Sequence, residues 1–426
     1  MNYSEALTYI HSISWTFCKP GLERIGVLCE HLGNPQDSLR FIHVAGTNGK
    51  GSTCSMLSSV LRAAGYRVGL YTSPYIRFFN ERMCVDGEPI ADEELAEITE
   101  YVRPIADSME DKPTEFELIT AIAFVYFKRH GCDAVVLEAG MGGRLDSTNI
   151  IRNPLLSIIT GIALDHVAFL GDTVEKIAAE KAGIIKDGAP ILYGGDDRNA
   201  QAVIEKKAKE MGSSFHTVPY ESLRILRTDL TGTEFSLGER SDLKIALLGS
   251  YQPRNASLVI TAVELLNKRG LSISEEALRK GLLAARWQAR FEIISRDPLT
   301  IFDGAHNPQG IRSAVESIRR YFGEKKVYLL TGVLRDKDYT AIAKDLSTVA
   351  SRAFTLTPDS PRALSAEEYA KTLSEAGISA QSYDSLTDAL DAAREAARGD
   401  GVPLICLGSL YVYAGLIVEV EKRNQA

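Results

Sequence analysis

The sequence predicts an α/β protein of two domains, in which a larger domain built on a parallel sheet precedes a smaller α/β domain. The first observation behind this prediction is length, because 426 residues suffice for two domains of ordinary size. The second is an alternation of apolar, strand-like runs with helix-like segments, which is typical of parallel sheets. The third is a glycine-rich turn with one lysine at residues 46–52, directly after an apolar run.

The composition indicates a soluble globular protein, since 45% of the residues are hydrophobic and 24% are charged. The net charge of −8 argues against a nucleic-acid partner, because a phosphate backbone requires a basic surface. No stretch approaches the roughly 18 apolar residues of a membrane span, and the first residues lack a signal-peptide pattern. We therefore expect no membrane partner and a cytoplasmic location. The cysteines are scattered without metal-binding spacing and are interpreted as reduced thiols: Cys18, Cys29, Cys54, Cys84, Cys132 and Cys406.

The glycine-rich turn predicts a phosphate-binding loop between a strand and a helix. Apolar residues 41–45 suit a buried strand, and the glycines of 46–52 let backbone N–H groups approach an anion. Lys50 adds positive charge. The spacing departs from the usual P-loop, because Gly51 separates Lys50 from the hydroxyl of Ser52. An ordinary glycine-rich turn is the alternative.

The strand–helix–strand order that follows predicts a parallel first sheet with this turn at a strand's carboxyl end. The predicted elements before residue 131 are helices 3–11 and 22–32, strand 41–45, helix 52–64, strand 67–72, hairpin 83–90, and helices 92–106 and 114–130. From there to residue 285 they are strands 133–137 and 155–161, helix 173–185, strand 190–193, antiparallel segments within 213–248, and helices 253–269 and 274–285.

Three side chains of the first domain are candidates for chemistry. Glu138 ends a buried strand, from where a carboxylate can reach a metal at the sheet edge, although a helix-capping or solvated carboxylate is the alternative. His166 follows the next strand, and a structural histidine is the alternative there. Lys181 stands near a helix end, where the pattern alone favours a solvated lysine.

After residue 285 the strand and helix pattern restarts as a second unit of about 130 residues. Residues 303–307 carry a carboxylate, a histidine and an amide directly after a strand, which predicts a binding site. An N-cap role for Asn307 ahead of Pro308 is the structural alternative. Residues 336–338 follow another strand in the same way, on the same expected edge of the second sheet.

Six motifs occur in an order and spacing that resemble the folylpolyglutamate synthases and dihydrofolate synthases of the Mur ligase superfamily. They lie at residues 43–52, 72–74, 138–146, 164–166, 180–184 and 303–307. The resemblance covers nearly the whole chain. It implies a Mur ligase-like fold, with a P-loop ATPase domain at 1–289, a hinge at 290–297 and a Rossmann-like glutamate ligase domain at 298–426.

The same resemblance implies an ADP-forming, ATP-dependent ligase. ATP would phosphorylate a folate or dihydropteroate carboxylate to an acyl phosphate, and the amine of L-glutamate would attack it. Negative charge accumulates in both steps, so cations close to the phosphates lower the barriers. The implied cofactors are ATP and two Mg²⁺ ions, and the expected partners are these small molecules, with the protein acting as a monomer.

The resemblance also assigns residues. The implied nucleotide site comprises Gly46, Thr47, Asn48, Gly49, Lys50, Gly51, Ser52, Asn255, Arg290 and Asp303. The implied Mg²⁺ ligands are Ser73, Glu138, His166 and Lys181, and Lys181 is similar to the lysine that is carbamylated in the family. The implied pterin side comprises Gly21, Leu22, Glu23, Arg24, Phe116, Glu117, Leu145, Asp146 and Ser147. The implied catalytic residues are Lys50, Lys181, His166, Asp303 and His306.

Three residues depart from the family pattern. Tyr75 and Tyr251 stand at positions often held by histidine, and Ala289 replaces a glycine that often precedes Arg290. These departures affect the expected substrate preference or loop geometry and leave the phosphate chemistry unchanged.

Two alternatives lie outside this family. A cell-wall amino-acid ligase of the same superfamily would carry a nucleotide-sugar domain before the phosphate loop, for which the residues before Gly46 are too few. A catalytically silent, nucleotide-gated binding module would be expected to lose the metal candidates, and all of them are present. Within the family, the residues leave open whether the protein adds the first glutamate, adds further glutamates or does both, with the pterin-side residues favouring both.

Overall fold

The computed structural model of this protein describes residues 1–13 and 21–425. Cys18 and most of the segment predicted to join the first two helices lie outside the described residues. The chain forms two compact units. Unit 1 comprises Met1–Leu223 and Arg254–Ala285, and unit 2 comprises Arg224–Pro253 and Arg286–Ala426. Residues 224–253, which the prediction included in the first domain, thus group with the second unit.

Unit 1 contains one mixed sheet with helices packed on it. Its strands are β1 (Phe41–Ala45), β2 (Val68–Tyr71), β3 (Met83–Val85), β4 (Glu88–Pro89), β5 (Ala134–Glu138), β6 (Leu156–Ile159), β7 (Ile191–Tyr193) and β8 (Phe215–Thr217). Its helices are α1 (Tyr3–Ser12), α2 (Glu23–His31), α3 (Lys50–Ala63), α4 (Asp92–Ser108), α5 (Glu115–Arg129), α6 (Val167–Leu170), α7 (Val174–Ala182), α8 (Arg198–Glu210), α9 (Gln252–Lys268) and α10 (Glu275–Ala284).

The strand order of this sheet is β4-β3-β2-β5-β1-β6-β7-β8. The six strands from β2 to β8 in this order run parallel, and β3 and β4 form an antiparallel hairpin at one edge. Every residue of β1 and β5 is buried, as expected for central strands covered on both faces. The predicted parallel sheet and the predicted hairpin are therefore confirmed.

Local sequence explains where the main helix of this core begins. Thr114 and Glu117 form a capping box, in which each side chain accepts the backbone N–H of the other residue. The following helix α5 is buried along most of its length, because it lies between the sheet and the first two helices. Its Phe124 ring packs edge-on against Phe41 of β1, with 5.5 Å between the ring centroids.

Unit 2 contains two sheets. The strands β9 (Leu223–Asp229), β10 (Gly232–Leu237) and β11 (Arg240–Ile245) form the smaller one in the order β11-β10-β9. The larger sheet has the order β12-β13-β17-β14-β15-β16, with strands β12 (Glu292–Arg296), β13 (Leu299–Phe302), β14 (Val327–Thr331), β15 (Ala350–Thr355), β16 (Ser379–Ser382) and β17 (Leu404–Leu407). Its helices are α11 (Pro308–Phe322), α12 (Tyr339–Ser347), α13 (Ala366–Glu375), α14 (Leu386–Asp400) and α15 (Tyr413–Gln425).

The larger sheet of unit 2 is parallel except for its first strand, since β12 pairs antiparallel with β13. Residues 292–296 of the predicted hinge therefore form an edge strand. The predicted α/β architecture of this half is confirmed. Among the described residues, no helix combines the length and hydropathy that a membrane crossing requires.

Candidate active site

The sequence-predicted site residues of unit 1 gather at one edge of its sheet. Strands β2, β5, β1 and β6 are consecutive neighbours and run parallel, so their carboxyl ends lie side by side. Ser73 follows β2, Glu138 ends β5, the turn at 46–52 follows β1, and His166 lies beyond β6. Segments far apart in sequence are thus brought together by the strand order.

The phosphate-binding loop predicted at 46–52 takes a conformation that requires glycine at two positions. Gly46 has φ of +152°, and a Cβ there would lie 1.9 Å from Oγ1 of Thr160. Gly49 has φ of +85°, and a Cβ there would lie 2.8 Å from Oδ1 of Asn255. Because α3 begins at Lys50, the loop delivers the backbone to a helix N-terminus, where N–H groups and the helix dipole favour an anion.

Neighbouring strand ends hold this loop in place. The Thr160 hydroxyl donates to the carbonyl oxygen of Asn48 at 2.7 Å, and the Thr47 N–H donates to the carbonyl oxygen of Gly161 at 2.8 Å. Lys50 Nζ donates to the carbonyl oxygens of Gly46 and Thr47 at 3.2 and 3.3 Å. The side chain of Lys50 therefore contacts the same turn in which it is predicted to bind phosphate.

Lys181 is buried beside the same loop. Its side chain is 4% exposed, and Nζ donates to the carbonyl oxygen of Gly46 at 2.8 Å. Burial lowers the pKa of this ammonium group to about 7, and the nearby charge of Lys50 acts in the same direction. The pattern alone favoured a solvated lysine, and this prediction is wrong, because the last turn of α7 packs Lys181 against the phosphate loop.

Glu138 and Ser73 lie at adjacent strand ends. Glu138 is 4% exposed, which excludes the solvated-carboxylate alternative. The backbone N–H of Ser73 donates to Oε2 of Glu138 at 3.4 Å, and Nη1 of Arg82 donates to the Ser73 hydroxyl at 3.2 Å. A buried carboxylate and a hydroxyl of adjacent strand ends are oxygen donors of the type that Mg²⁺ prefers.

His166 is exposed and takes φ of +49°, a left-handed conformation, at the start of α6. Its exposure leaves it accessible to a ligand, and the choice between a metal ligand and a structural histidine stays a prediction. Within the part of the chain that the structure describes, there is no group of three or more His, Cys, Asp or Glu side chains that could hold a metal ion. The predicted set takes only two ligands from these residue types, Glu138 and His166, and the others are Ser73 and Lys181.

The predicted pterin side contains a buried ion pair. Nε and Nη2 of Arg24 donate to the two carboxylate oxygens of Glu117, each at 3.0 Å. Arg24 is 8% exposed and Glu117 is 3% exposed, whereas Glu23 is exposed and Gly21 and Leu22 are half-buried. The pair joins α2 to the start of α5, so these two charges hold the local structure together whatever ligand lies beside them.

The remaining pterin-side residues lie around the turn after β5. Asp146 accepts the backbone N–H groups of Met141 at 2.8 Å and Thr148 at 3.1 Å, and its burial raises its pKa. Ser147 is buried, whereas Leu145 is 37% exposed. The half-buried ring of Phe116 lies 6.1 Å from that of Tyr71, measured between centroids.

In unit 2, Asp303 is the centre of a hydrogen-bond network. The carboxylate accepts the Tyr251 hydroxyl at 2.8 Å and the backbone N–H groups of Phe291 at 3.0 Å and Ala305 at 2.8 Å. Asp303 is 3% exposed. Burial raises its pKa, while the charge of Arg290 and these hydrogen bonds oppose the rise. Asp303 thereby connects three separate segments of its unit.

The other predicted residues of unit 2 surround this network. Nδ1 of His306 lies 2.8 Å from the carbonyl oxygen of Gly304. Asn307 caps α11 by accepting the Gly310 N–H at 2.8 Å, which confirms the structural alternative. Asp338 caps α12 in the same way. Ala289 has φ of +57°, a left-handed conformation that favours glycine, the residue that the resemblance leads us to expect at this position.

Two residues that support the site were missed by the sequence analysis. Thr160 holds the phosphate loop, and Arg82 donates to Ser73. A hydroxyl residue at the end of a strand beside the loop was a usable signal for Thr160. No local pattern marks Arg82, because its contact depends on how the segment after β2 folds back.

Comparison with known proteins defines the class. Residues 44–263 match the family described as Mur ligase middle domain, and residues 289–409 match the family described as Mur ligase, glutamate ligase domain. The protein is therefore a Mur ligase, with a middle domain followed by a glutamate ligase domain, as the resemblance implied.

Individual relatives narrow the class. The dihydrofolate synthase/folylpolyglutamate synthase of Bacillus subtilis is 39% identical over 438 residues, covering 99% of each chain. A folylpolyglutamate synthase structure from Thermotoga maritima is 33% identical with a TM-score of 0.86, covering 99% of this chain and 97% of the other. A structure of Escherichia coli FolC in complex with DHPP and ADP is 30% identical with a TM-score of 0.87, covering 100% of this chain and 99% of the other. The chain belongs to the folylpolyglutamate synthase and dihydrofolate synthase family.

Proposed function

We propose that this protein joins L-glutamate to the carboxylate of a folate or of dihydropteroate, with ATP converted to ADP and phosphate. The observation that carries the proposal is the phosphate loop at 46–52, which opens a helix at the sheet edge where Glu138 and Lys181 are buried. The E. coli relative was solved with DHPP and ADP, and another relative was solved as an FPGS–AMPPCP–folate complex, which supports a folate-type substrate and a nucleotide here.

The reaction has two steps. A carboxylate oxygen of the pterin substrate attacks the γ-phosphorus of ATP, and ADP leaves. The amine of glutamate then attacks the acyl carbon, phosphate leaves with the bonding electron pair, and the amine loses a proton. Both steps build negative charge, and we propose that backbone N–H groups at the start of α3 and the ammonium group of Lys50 stabilise it.

Mg²⁺ fits the oxygen donors at this edge of the sheet. We propose that Ser73, Glu138, His166 and a carbamylated Lys181 hold two such ions. Bound Mg²⁺ would neutralise phosphate charge during the transfer. The burial of Glu138 at the strand end beside Ser73 supports this assignment, because it puts a carboxylate and a hydroxyl, oxygen donors that Mg²⁺ prefers, at adjacent strand ends.

Carbamylation of Lys181 is chemically reasonable at this position. The reaction with CO₂ requires a neutral amine, and a pKa of about 7 makes a large fraction of the amine neutral at physiological pH. The product would replace a buried cation by an anion with two oxygen donors. The neighbouring Lys50 would then compensate that charge.

We propose that Asp303, Arg290 and His306 of unit 2 take part in nucleotide binding. As a separate assignment within unit 1, we propose the same role for Asn255, whose side chain lies close to Gly49 of the phosphate loop. The network around Asp303 supports a positioning role, since one buried carboxylate orders the backbone at Phe291 and Ala305. A cytoplasmic monomer is part of the same proposal. The cell-wall ligase and the silent binding module are not favoured, because the relatives are synthases of the folate type over their full length.

The decisive experiment measures ADP release with ATP, Mg²⁺ and L-glutamate, using dihydropteroate and a reduced folate as separate acceptors. We expect release with at least one acceptor, and the pair of results distinguishes synthesis of the first bond from extension. Reactions without glutamate control for idle ATP hydrolysis. A folded preparation that releases no ADP with either acceptor would overturn the proposal.

A further inference from the structure

A pocket of about 570 Å³ lies in unit 2, at the end of its larger sheet opposite to Asp303. Asp297 belongs to the turn before β13, whereas Asp303 follows that strand. The pocket is lined by β12, α14 and α15, which contribute two isoleucines and the side chains of Arg296, Arg394, Arg398 and Arg423. We call it the arginine pocket. Its position separates it from the carboxyl ends of the strands.

Positive charge in the arginine pocket exceeds negative charge. Arg423 forms ion pairs with Asp391 and Glu419, so its own charge is compensated. The other three arginines face Asp297, the one carboxylate among the lining residues, and its side chain is 84% exposed. Among the lining residues, four arginines therefore face one carboxylate, and outside the lining Asp391 acts on Arg394 as well as on Arg423.

Arg394 carries a donor that the described residues leave unpartnered. It is 6% exposed, and its Nη2 donates to the carbonyl oxygen of Asp297 at 2.9 Å. Nη1 is buried and has no hydrogen-bond partner among the described residues. An unpartnered donor on a buried cation is unfavourable, and native structures seldom leave one without a role.

The neighbouring arginines have hydrogen-bond donors that could bind a further acceptor. Nη2 of Arg398 donates to the same carbonyl oxygen of Asp297 at 3.3 Å, so two guanidinium groups share one acceptor. Arg296 is exposed and has no ion pair or hydrogen bond from its side chain within residues 1–13 and 21–425. Like charges held this close repel, and an anion between them would relieve the repulsion.

We propose that the arginine pocket binds a small dianion of the phosphate class. Guanidinium groups match phosphate oxygens by paired hydrogen bonds, and a phosphate group carries close to two negative charges at neutral pH. The volume exceeds what a bare phosphate needs, and the isoleucine wall suits the carbon part of a phosphate ester. Such a site would make the second unit responsive to a phosphate compound that is not a reactant.

Calorimetric titration of the full-length protein tests this site. The probes are inorganic phosphate and glycerol phosphate, in a chloride buffer with excess ADP and Mg²⁺ so that a nucleotide site is filled. We expect one binding event in the wild type. Arg296→Ala and Arg398→Ala should each weaken it about tenfold, since each removes a charged hydrogen-bond donor. Both residues are exposed, so these variants should fold.

The control is Arg319→Ala, which removes an exposed arginine of α11 outside the pocket and should bind as the wild type does. Arg394→Met tests the buried donor, and its result counts only if circular dichroism shows native structure. Tighter binding of glycerol phosphate than of phosphate would identify an ester as the natural ligand class. Equal binding by the wild type, Arg296→Ala and Arg398→Ala, or binding of neither probe, would overturn the proposal.

Discussion

The hydroxyl of Tyr251 donates a 2.8 Å hydrogen bond to Oδ2 of Asp303, and that same oxygen accepts the backbone N–H of Phe291 at 3.0 Å. The family resemblance leads us to expect histidine at position 251, and tyrosine keeps a hydrogen-bond donor there. The departure noted in the sequence is therefore compatible with an ordered Asp303. Its energetic weight can be measured.

Removal of this hydroxyl should destabilise the protein. Tyr251→Phe leaves a carboxylate that is 3% exposed with one donor fewer, so we expect a loss of about 1–2 kcal/mol in the free energy of unfolding. Urea denaturation measures the loss. Tyr328→Phe is the matched control, because it removes a hydroxyl that bonds to the exposed carboxylate of Asp400. Equal losses of unfolding free energy in both variants would show that the hydrogen bond to Asp303 stabilises the protein no more than an exposed one does.

Lys181→Ala should abolish most ligase activity, by about a hundredfold, if the carbamate is required to organise charge at the phosphates. Added short carboxylic acids such as acetate should restore part of it, because the deleted side chain leaves room for a free carboxylate. Initial rates of ADP release measure both effects.

Lys186→Ala provides the comparison for this rescue. Burial also lowers the pKa of Lys186, to about 8, but its Nζ donates to the carbonyl oxygen of Asn149 instead of Gly46. Carboxylic acids should therefore not increase the activity of this variant. Full activity of Lys181→Ala without any additive would remove the proposed role of the carbamate.

The phosphate loop permits a test that separates backbone strain from contact. Gly49 and Gly65 have φ of +85° and +88°, but a Cβ at Gly49 would lie 2.8 Å from Asn255 and one at Gly65 would meet nothing within 4 Å. Each alanine substitution should cost about 1 kcal/mol of stability through strain. Only Gly49→Ala should also weaken ADP binding, by at least about tenfold, because it displaces the loop. Similar ADP affinities in the two variants, measured by calorimetry, would contradict this.

His43 predicts a pH dependence of stability. It is fully buried, its Nε2 lies 2.8 Å from Oγ1 of Thr148, and burial followed by the charge of Lys186 lowers its pKa to about 3. Since the unfolded chain binds this proton near pH 6.5 and the folded one does not, stability is complete above pH 6.5 and falls as the pH decreases toward 3.

The corresponding measurement is urea denaturation at pH 7.5 and 5.5. His43→Gln should remove about 1 kcal/mol of the loss that the wild type shows on acidification, because glutamine does not titrate. Thr148→Val serves as the control, since it should lower stability at both pH values without changing the difference between them. A wild-type pH dependence in His43→Gln would assign the acid sensitivity to other groups.

The fold was largely predictable because its central elements have clear local signals. The buried run at β1, the glycines of the turn after it and the cap of α11 at Asn307 all determine structure within a few residues. The edge strand β12 was not predicted. Its pairing with β13 is a tertiary contact, and the segment before it carries unusual backbone angles at Ala289 and Phe291.

The sequence indicated which positions belong to the site, but it indicated fewer of the contacts that those side chains make. Strand ends indicated Glu138 and Asp303, because parallel strands align their carboxyl ends. The burial of Lys181 against Gly46 could not be read from a helix-end pattern, since it depends on α7 packing beside the loop after β1. The mutual pairing of Arg24 with Glu117 joins residues 93 positions apart and has no local signal.

Unit 1 is discontinuous in sequence, and this matters for how the protein is made. Helix α3, which opens at the phosphate loop, packs on α10, where the Ser59 hydroxyl donates to the carbonyl oxygen of Gly281 at 2.8 Å and a Cβ on Gly281 would lie 2.3 Å from Cα of Val60. At usual translation rates, α10 leaves the ribosome about 10–40 s after α3. The nascent chain must therefore keep this helix face uncovered while residues 64–274 are synthesised, among them residues 224–253 of the other unit. A chaperone thus has a defined interval in which to bind it.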